Sequence, residues 1–329
     1  MPLPRNRVLF YQGMVLLDGE GAMAGGEKLM DLTQAVRQLV RPGMSLALCC
    51  ALEGFIPFAA AHEIIRQKIG PLTLIAPISN IAFDQLIAAD LVQGVIAAWV
   101  GNVSTGIGYS FRRAVEKGRP RPLTVINHSN FSITLALEAG ARGLPMAVSR
   151  SPLGSDIIND NPHFKPFTCP HSGQRLLAIR AINPDLTILH AQRADRFGNC
   201  QAWGALGFSR QAALAARAVL VTCEEIVAPE VIRADPDRTL IPGFAVAAVC
   251  EAPWGAHPAP VQGYYGLDNQ FFVDYAAQTR TEEGSAAWLT EWVHDPPHRA
   301  AYLAKLGRER WSELMVKHPA KGEALEWGW

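Results

Sequence analysis

Several polar residues of this 329-residue chain stand where short apolar runs give way to small-residue turns, and each suggests a chemistry. Leu52-Glu53-Gly54-Phe55-Ile56-Pro57 carries a glutamate in apolar company. Such a carboxylate could act as a base or nucleophile, because burial in an apolar loop raises its pKa. The plainer reading, and the one expected here, is a helix-capping or interface carboxylate. Ile78-Ser79-Asn80 and Asn127-His128-Ser129-Asn130-Phe131 place small polar side chains, Ser79 and Asn130 among them, at the ends of two further apolar runs. They could line a ligand site or cap the helices that follow.

Gly101-Asn102-Val103-Ser104-Thr105-Gly106-Ile107-Gly108 is the most glycine-dense of these turns. Between a strand and a helix, its glycines would let the backbone approach a ligand, with N–H groups facing an anion or carbonyl. It matches neither the dinucleotide fingerprint nor a P-loop, since Tyr109 stands where a lysine would be needed. An ordinary turn would have the same composition. His62-Glu63 has no HExxH continuation, so no zinc site is expected. His190 and Asp195 share a segment but lack a GxSxG nucleophile, and Asp195 with Gly198-Asn199 reads as turn chemistry. Trp254 and His257 flank Gly255 and could line a pocket or a subunit contact.

The elements that must hold these residues alternate. Strands are expected at 45–50, 72–77, 94–100, 123–127, 186–190, 218–223 and 245–249. Helices are expected at 29–40, 59–68, 83–89, 110–117 and 209–217. Strand, loop and helix in repetition mark an open, mostly parallel sheet with helices on both faces, an α/β fold. Residues 151–174, with four prolines, read as a long functional or interface loop. The chain divides into an N-terminal extension (1–27), one main domain (28–293) and a C-terminal helical tail (294–329) that would cap the body or a partner.

Composition narrows the function. With 49% hydrophobic residues the chain can build a large core. Thirty basic and thirty acidic residues leave no electrostatic footprint for nucleic acid. No apolar stretch reaches the roughly 18 to 20 residues of a membrane span, and no secretory leader is read at the N-terminus, so a cytoplasmic protein is expected. Cys49, Cys50, Cys169, Cys200, Cys223 and Cys250 form no CxxC pair and read as small buried hydrophobes in a reducing compartment.

Taken in order, EGFIPFAAAHEIIRQ (53–67), GNVSTGIG (101–108), HSNFS (128–132), GLP (143–145), HAQRADRFGNCQAWG (190–204), VTCEEIV (221–227), EAPWGAHP (251–258) and YYGLDNQFF (264–272) resemble the α (A-type) chain of glutaconate-type class I CoA-transferases. The resemblance runs from about residue 28 to about 293. It implies a single open α/β domain of the CoA-transferase (NagB-like) type and a β-subunit partner in a heterodimer or heterotetramer. It also implies an acyl-CoA thioester and a carboxylic acid as substrates, with no permanently bound cofactor and no metal. In such enzymes a glutamate attacks the thioester and becomes a glutamyl-CoA thioester, which is covalent catalysis that needs oxyanion-stabilising donors nearby. In two-chain members that glutamate belongs to the β subunit, so no nucleophile is assigned here. Ser79, Gly101, Asn102 and Asn130 are the expected substrate-binding residues, and Glu53 is the one carboxylate in this chain that could replace the missing nucleophile.

Two rival readings remain open. One family branch hydrolyses a carbon–carbon bond in cyclic CoA thioesters of steroid degradation, using an α-chain glutamate near the position of Asn130. Ser129-Asn130-Phe131 holds no carboxylate, which speaks against that branch. A non-catalytic small-ligand-binding module of related fold would in a regulator need a helix-turn-helix and a basic face, and neither is visible.

Overall fold

The computed structural model describes residues 26–316. Seven parallel strands form the body: β1 (Ser45–Ala47), β2 (Leu72–Ile78), β3 (Val92–Trp99), β4 (Thr124–Asn127), β5 (Leu186–Ala194), β6 (Val219–Ile226) and β7 (Val246–Glu251). Their spatial order is β7–β6–β5–β1–β2–β3–β4, every neighbouring pair being parallel. The chain therefore starts in the middle, moves outward through β4, then returns to β5 on the other side of β1. Where the order reverses, crossover loops leave the two neighbouring strands in opposite directions. In open sheets of this kind, ligands bind beyond the carboxyl ends of the strands at such a point. Two short antiparallel strands, Cys200–Gln201 and Thr239–Ile241, extend the sheet beyond the end of β5.

Period-two alternation divides the strands between two cores. Leu72, Leu74 and Ala76 of β2, with Leu186 and Ile188 of β5, face the first core. Helices α1 (Leu32–Leu39), α2 (Phe58–Arg66), α3 (Asn80–Ala88) and α4 (Tyr109–Lys117) pack there. Ile75, Leu189 and Val221 face the second core, against α5 (Asn130–Ala141) and α6 (Ser209–Ala215). Each fully buried Leu or Ile contributes roughly 1.5–3 kcal/mol by leaving water. The expected α/β architecture is what the chain adopts.

Two expectations need correction. The segment 151–174 is not one long loop, because Phe164–Thr168 is a strand. It pairs with Arg175–Arg180, which pairs in turn with Met146–Ser149, giving a separate antiparallel sheet. Phe164–Thr168 lies at that sheet's edge, where Pro166 needs no backbone donor and the exposed residues show no apolar alternation. Helix α5 is the second addition: apolar and small residues surround it, so it has no clear polar stripe to announce a helical period.

Beyond β7, helices Asn269–Gln278, Glu282–Leu289, Arg299–Leu306 and Arg308–Leu314 close over the body. Tyr302 reaches into the first core beside Phe271 and Trp292, and Arg310 pairs with the buried Asp268. Nearly all of the extension (1–27) and the end of the tail (317–329) lie outside the described residues. Among the described residues, no helix is long and apolar enough to cross a membrane. All six cysteines are free, five of them buried, with Cys169 on the turn before Arg175–Arg180.

Candidate active site

The carboxyl edge of the sheet divides into two halves. Above β5, β6 and β7 the segment 252–266 folds down as a plug. His190 Nε2 meets Glu224 Oε1 at 2.7 Å, and the same oxygen accepts from Tyr265 Oη at 2.6 Å. Glu224 Oε2 accepts the Trp254 N–H at 2.7 Å. Trp254 stacks on Tyr265 with ring centroids 4.2 Å apart. Gly255 allows the closure, because a Cβ there would lie 2.8 Å from His190 Cε1. His190 therefore pairs with a glutamate from the next strand and not with Asp195, which caps its own turn through the Phe197 and Asn199 N–H groups. His257 is likewise interior, between Tyr302 Oη at 2.7 Å and Asp268 Oδ2 at 3.1 Å, so it lines neither a pocket nor a subunit contact.

The other half lies beyond β1, β2 and β3, where the loops gather around Glu53. After β1, Cys49, Leu52 and Phe55 take φ values of 57°, 64° and 54°, which turn the chain back over the neighbouring strands. After β2, Asn80 takes φ 50° and its Oδ1 accepts the Ile81 N–H at 2.7 Å. After β3, Gly101–Asn102 pairs with Gly106–Ile107 as a tight hairpin. A Cβ on Gly101 would stand 2.3 Å from the Gly106 carbonyl oxygen, so only glycine closes this hairpin. Gly108 is held to glycine by Asp84, whose Oδ1 accepts the Phe111 N–H at 2.7 Å and so anchors α4.

These segments meet at one oxygen. Glu53 Oε2 accepts from Asn80 Nδ2 at 2.6 Å and from Asn102 Nδ2 at 3.2 Å. The second oxygen, Oε1, is buried and unpaired. Desolvation raises the Glu53 pKa, while the Asn80 carboxamide and, less strongly, the Val103 backbone N–H act against that. Glu53 is thus not the helix-capping carboxylate expected from sequence, since neither α2 nor α3 receives a side-chain cap bond at its start.

The other expected residues divide. Ser79 Oγ accepts the Gly101 N–H at 3.2 Å and donates to the Asn80 carbonyl at 2.9 Å, and Asn102 Oδ1 accepts the Ser104 N–H at 2.9 Å. Ser79, Gly101 and Asn102 therefore belong to one hydrogen-bonded group with Glu53, and their polar atoms are largely used within it. Asn130 stands apart at the start of α5, exposed, behind the capping box that Ser129 makes with Ser132. Sequence reasoning missed Asn80 as a site residue, although it is adjacent to Ser79. It also missed a buried pair beside Asn130: His128 Nε2 lies 3.0 Å from His163 Nδ1, and burial pushes the His128 pKa down to about 3. Nothing local in the sequence joins residues 35 positions apart. Among the described residues, no three His, Cys, Asp or Glu side chains gather as a metal site would require.

Comparison with known proteins bears on the fold and the family. Residues 29–252 match the family described as Coenzyme A transferase. The chain is 39% identical over 282 residues to the A-type chain of 3-oxoadipate CoA-transferase from Pseudomonas knackmussii, a match covering 85% of this chain and 98% of that protein. The crystal structure of glutaconate coenzyme A-transferase from Acidaminococcus fermentans superposes with a TM-score of 0.82 at 33% identity, covering 88% of this chain and 96% of the matched one. A more distant relative is the cholesterol ring-cleaving hydrolase IpdA subunit of Mycobacterium tuberculosis, 32% identical over 273 residues, 78% of this chain and 90% of that protein. With its parallel sheet, its strand-end site and a match over most of its length, the chain belongs to the Coenzyme A transferase family.

Proposed function

We propose that the chain is the α (A-type) member of a heteromeric class I CoA-transferase that moves CoA from an acyl-CoA to a carboxylic acid. The observation that carries this reading is near end-to-end similarity to the corresponding chain of a CoA-transferase, with a built polar group at the carboxyl edge of the sheet. In the proposed reaction a partner glutamate attacks the thioester carbonyl, expelling the CoA thiolate and forming a mixed anhydride. The thiolate attacks the glutamyl carbonyl of that anhydride, releasing the first acid and leaving a glutamyl-CoA thioester. The acceptor carboxylate repeats the two steps in reverse. Each tetrahedral intermediate places charge on a carbonyl oxygen, so preorganised donors accelerate every step.

Within this reading the chain supplies the wall of the site. Ser79 and Gly101 shape the edge through their mutual bond and Asn102 through its bond to Glu53, and Asn130 presents an exposed carboxamide to a ligand from the end of β4. The partner would lie over the Glu53 half of the edge, in a heterodimer or its doubled form. The free thiols fit the reducing cytoplasm. A hydrolytic reading, as in the ring-cleaving relative, has one observation in its favour, the Glu53 carboxylate.

Acceptor dependence separates the two. The chain co-expressed with the product of its neighbouring gene is given acetyl-CoA, with 3-oxoadipate or glutaconate as acceptor. New acyl-CoA that forms only when both chains and the acid are present is the expected result. No acid-dependent transfer, together with opening of a cyclic CoA thioester whose thioester bond stays intact, would reverse the assignment.

A further inference from the structure

We propose that Glu53 is a positioning residue of the reaction centre, a carboxylate that ties together the ends of β1, β2 and β3 and fixes the 101–108 hairpin. This rests on the transferase reading only for the name of the reaction; the hold on the hairpin is a matter of geometry.

Three observations converge on it. Asn80 and Asn102 come from different strand ends, yet both aim their carboxamide N–H groups at the same Glu53 oxygen. Asn102 is thereby held so that its own Oδ1 accepts the Ser104 N–H, while its carbonyl accepts the Thr105 N–H at 3.1 Å. The hairpin, with the exposed Val103 at its tip and Ile107 opposite Gly101 at its base, is thus placed from Glu53 outward. Second, four non-glycine residues in the segments that meet at Glu53 (Cys49, Leu52, Phe55 and Asn80) have left-handed backbone. Such conformations are unfavourable and persist where the surrounding structure overrides them, which is commonest at functional sites.

Third, the carboxylate is a poor choice for stability. Its side-chain partners are the neutral amides of Asn80 and Asn102, and among the described residues no salt bridge reaches it. A residue retained only for the fold would not need the charge. Burial raises the Glu53 pKa, so its ionised form weakens the folded state at neutral pH, and an uncharged amide removes that penalty. Glu53→Gln is therefore expected to leave the unfolding temperature equal to or above that of wild type.

The test uses the full chain, alone and with its partner. Amide hydrogen exchange is followed by mass spectrometry in wild type, E53A and E53Q, beside thermal unfolding. The expected result in E53A, where both carboxamides lose their acceptor, is exchange at the Ser104 and Thr105 amides faster by about tenfold or more. Exchange in E53Q, whose amide oxygen can accept both bonds, should stay close to wild type, with an unfolding temperature equal to or above that of wild type. Asn102→Ala should loosen the same amides. In the assembled enzyme, with acetyl-CoA and 3-oxoadipate, kcat should fall by about tenfold or more in E53A while the KM for acetyl-CoA changes by less than about threefold. Unchanged hairpin exchange in E53A would overturn the proposal. So would a lowered unfolding temperature with faster exchange throughout the chain. If wild type transfers no CoA, the transferase reading falls, while hydrogen exchange still decides the role of Glu53.

Discussion

Glu224→Ala is expected to destabilise the chain by about 3–5 kcal/mol, the range seen when one partner of a buried charged network is removed. Glu224 accepts three bonds, from His190, Tyr265 and the Trp254 backbone. Its loss leaves an imidazole N–H, a phenol and a main-chain N–H buried without acceptors, each costing about 1–3 kcal/mol before relaxation. Arg299 adds to the effect. Its guanidinium lies in the field of Glu224 and donates to the Trp254 carbonyl, so removing the carboxylate leaves a buried cation less compensated. Glu224→Gln should lose less, since the amide oxygen still accepts while its NH2 faces the Trp254 donor. Urea unfolding of the purified chain measures both. A loss below about 1 kcal/mol for the alanine variant would mean that the plug over β5–β7 is held by packing alone.

The second large effect is acid lability. Burial lowers the pKa of His62, His128, His163 and His257, to about 3 for His128 and about 4 for His257. Each folded value lies below the unfolded one near 6.5, so in that window the unfolded chain binds more protons. Stability is therefore intact above about pH 6.5 and falls as pH drops toward the folded values. Each imidazole steepens the fall by up to about 1.4 kcal/mol per pH unit.

Asp268 continues the trend at lower pH. His257 and Arg310 hold its pKa below the usual carboxylate range, so its contribution is lost only as pH falls below about 4. Glu53 and Asp84, with raised pKa values, work in the opposite sense and soften the loss. The unfolding temperature at pH 5 is expected to lie about 10 °C or more below that at pH 7.5. A flat profile over that interval would show that the buried imidazoles are protonated in the folded chain.

The fold was legible where burial follows a period. Leu72–Ile78 and Val219–Ile226 are buried on both faces, and their apolar runs mark them as central parallel strands. Helix α4 was visible because its apolar residues form a stripe; α5 was not, because its small and apolar residues surround it. The site was legible only in part. Glycine at 101 and 108 and polar residues at strand ends are local signals, and they pointed to the carboxyl edge of the sheet, where Ser79, Gly101 and Asn102 join Glu53 in one hydrogen-bonded group. The partners of Glu53 lie 27 and 49 positions away, and no sequence period links them. The same limit hid the His190–Glu224 pair, where nearby Asp195 offered a misleading neighbour. Asn130 resembles Ser79 and Asn102 in sequence because all three follow strands. Its side chain instead stays outside their hydrogen bonds, since Ser129 and Ser132 cap the helix in front of it.

Whether the nucleophile belongs to a partner chain can be read directly from where CoA becomes attached. The two chains are incubated with acetyl-CoA, the thioester is trapped with borohydride or hydroxylamine, and both chains are digested and mapped by mass spectrometry. A modified glutamate on the partner, with Glu53 and every other carboxylate of this chain unmodified, is the predicted outcome. Modification of Glu53, or full turnover with no covalent CoA on either chain, would contradict it.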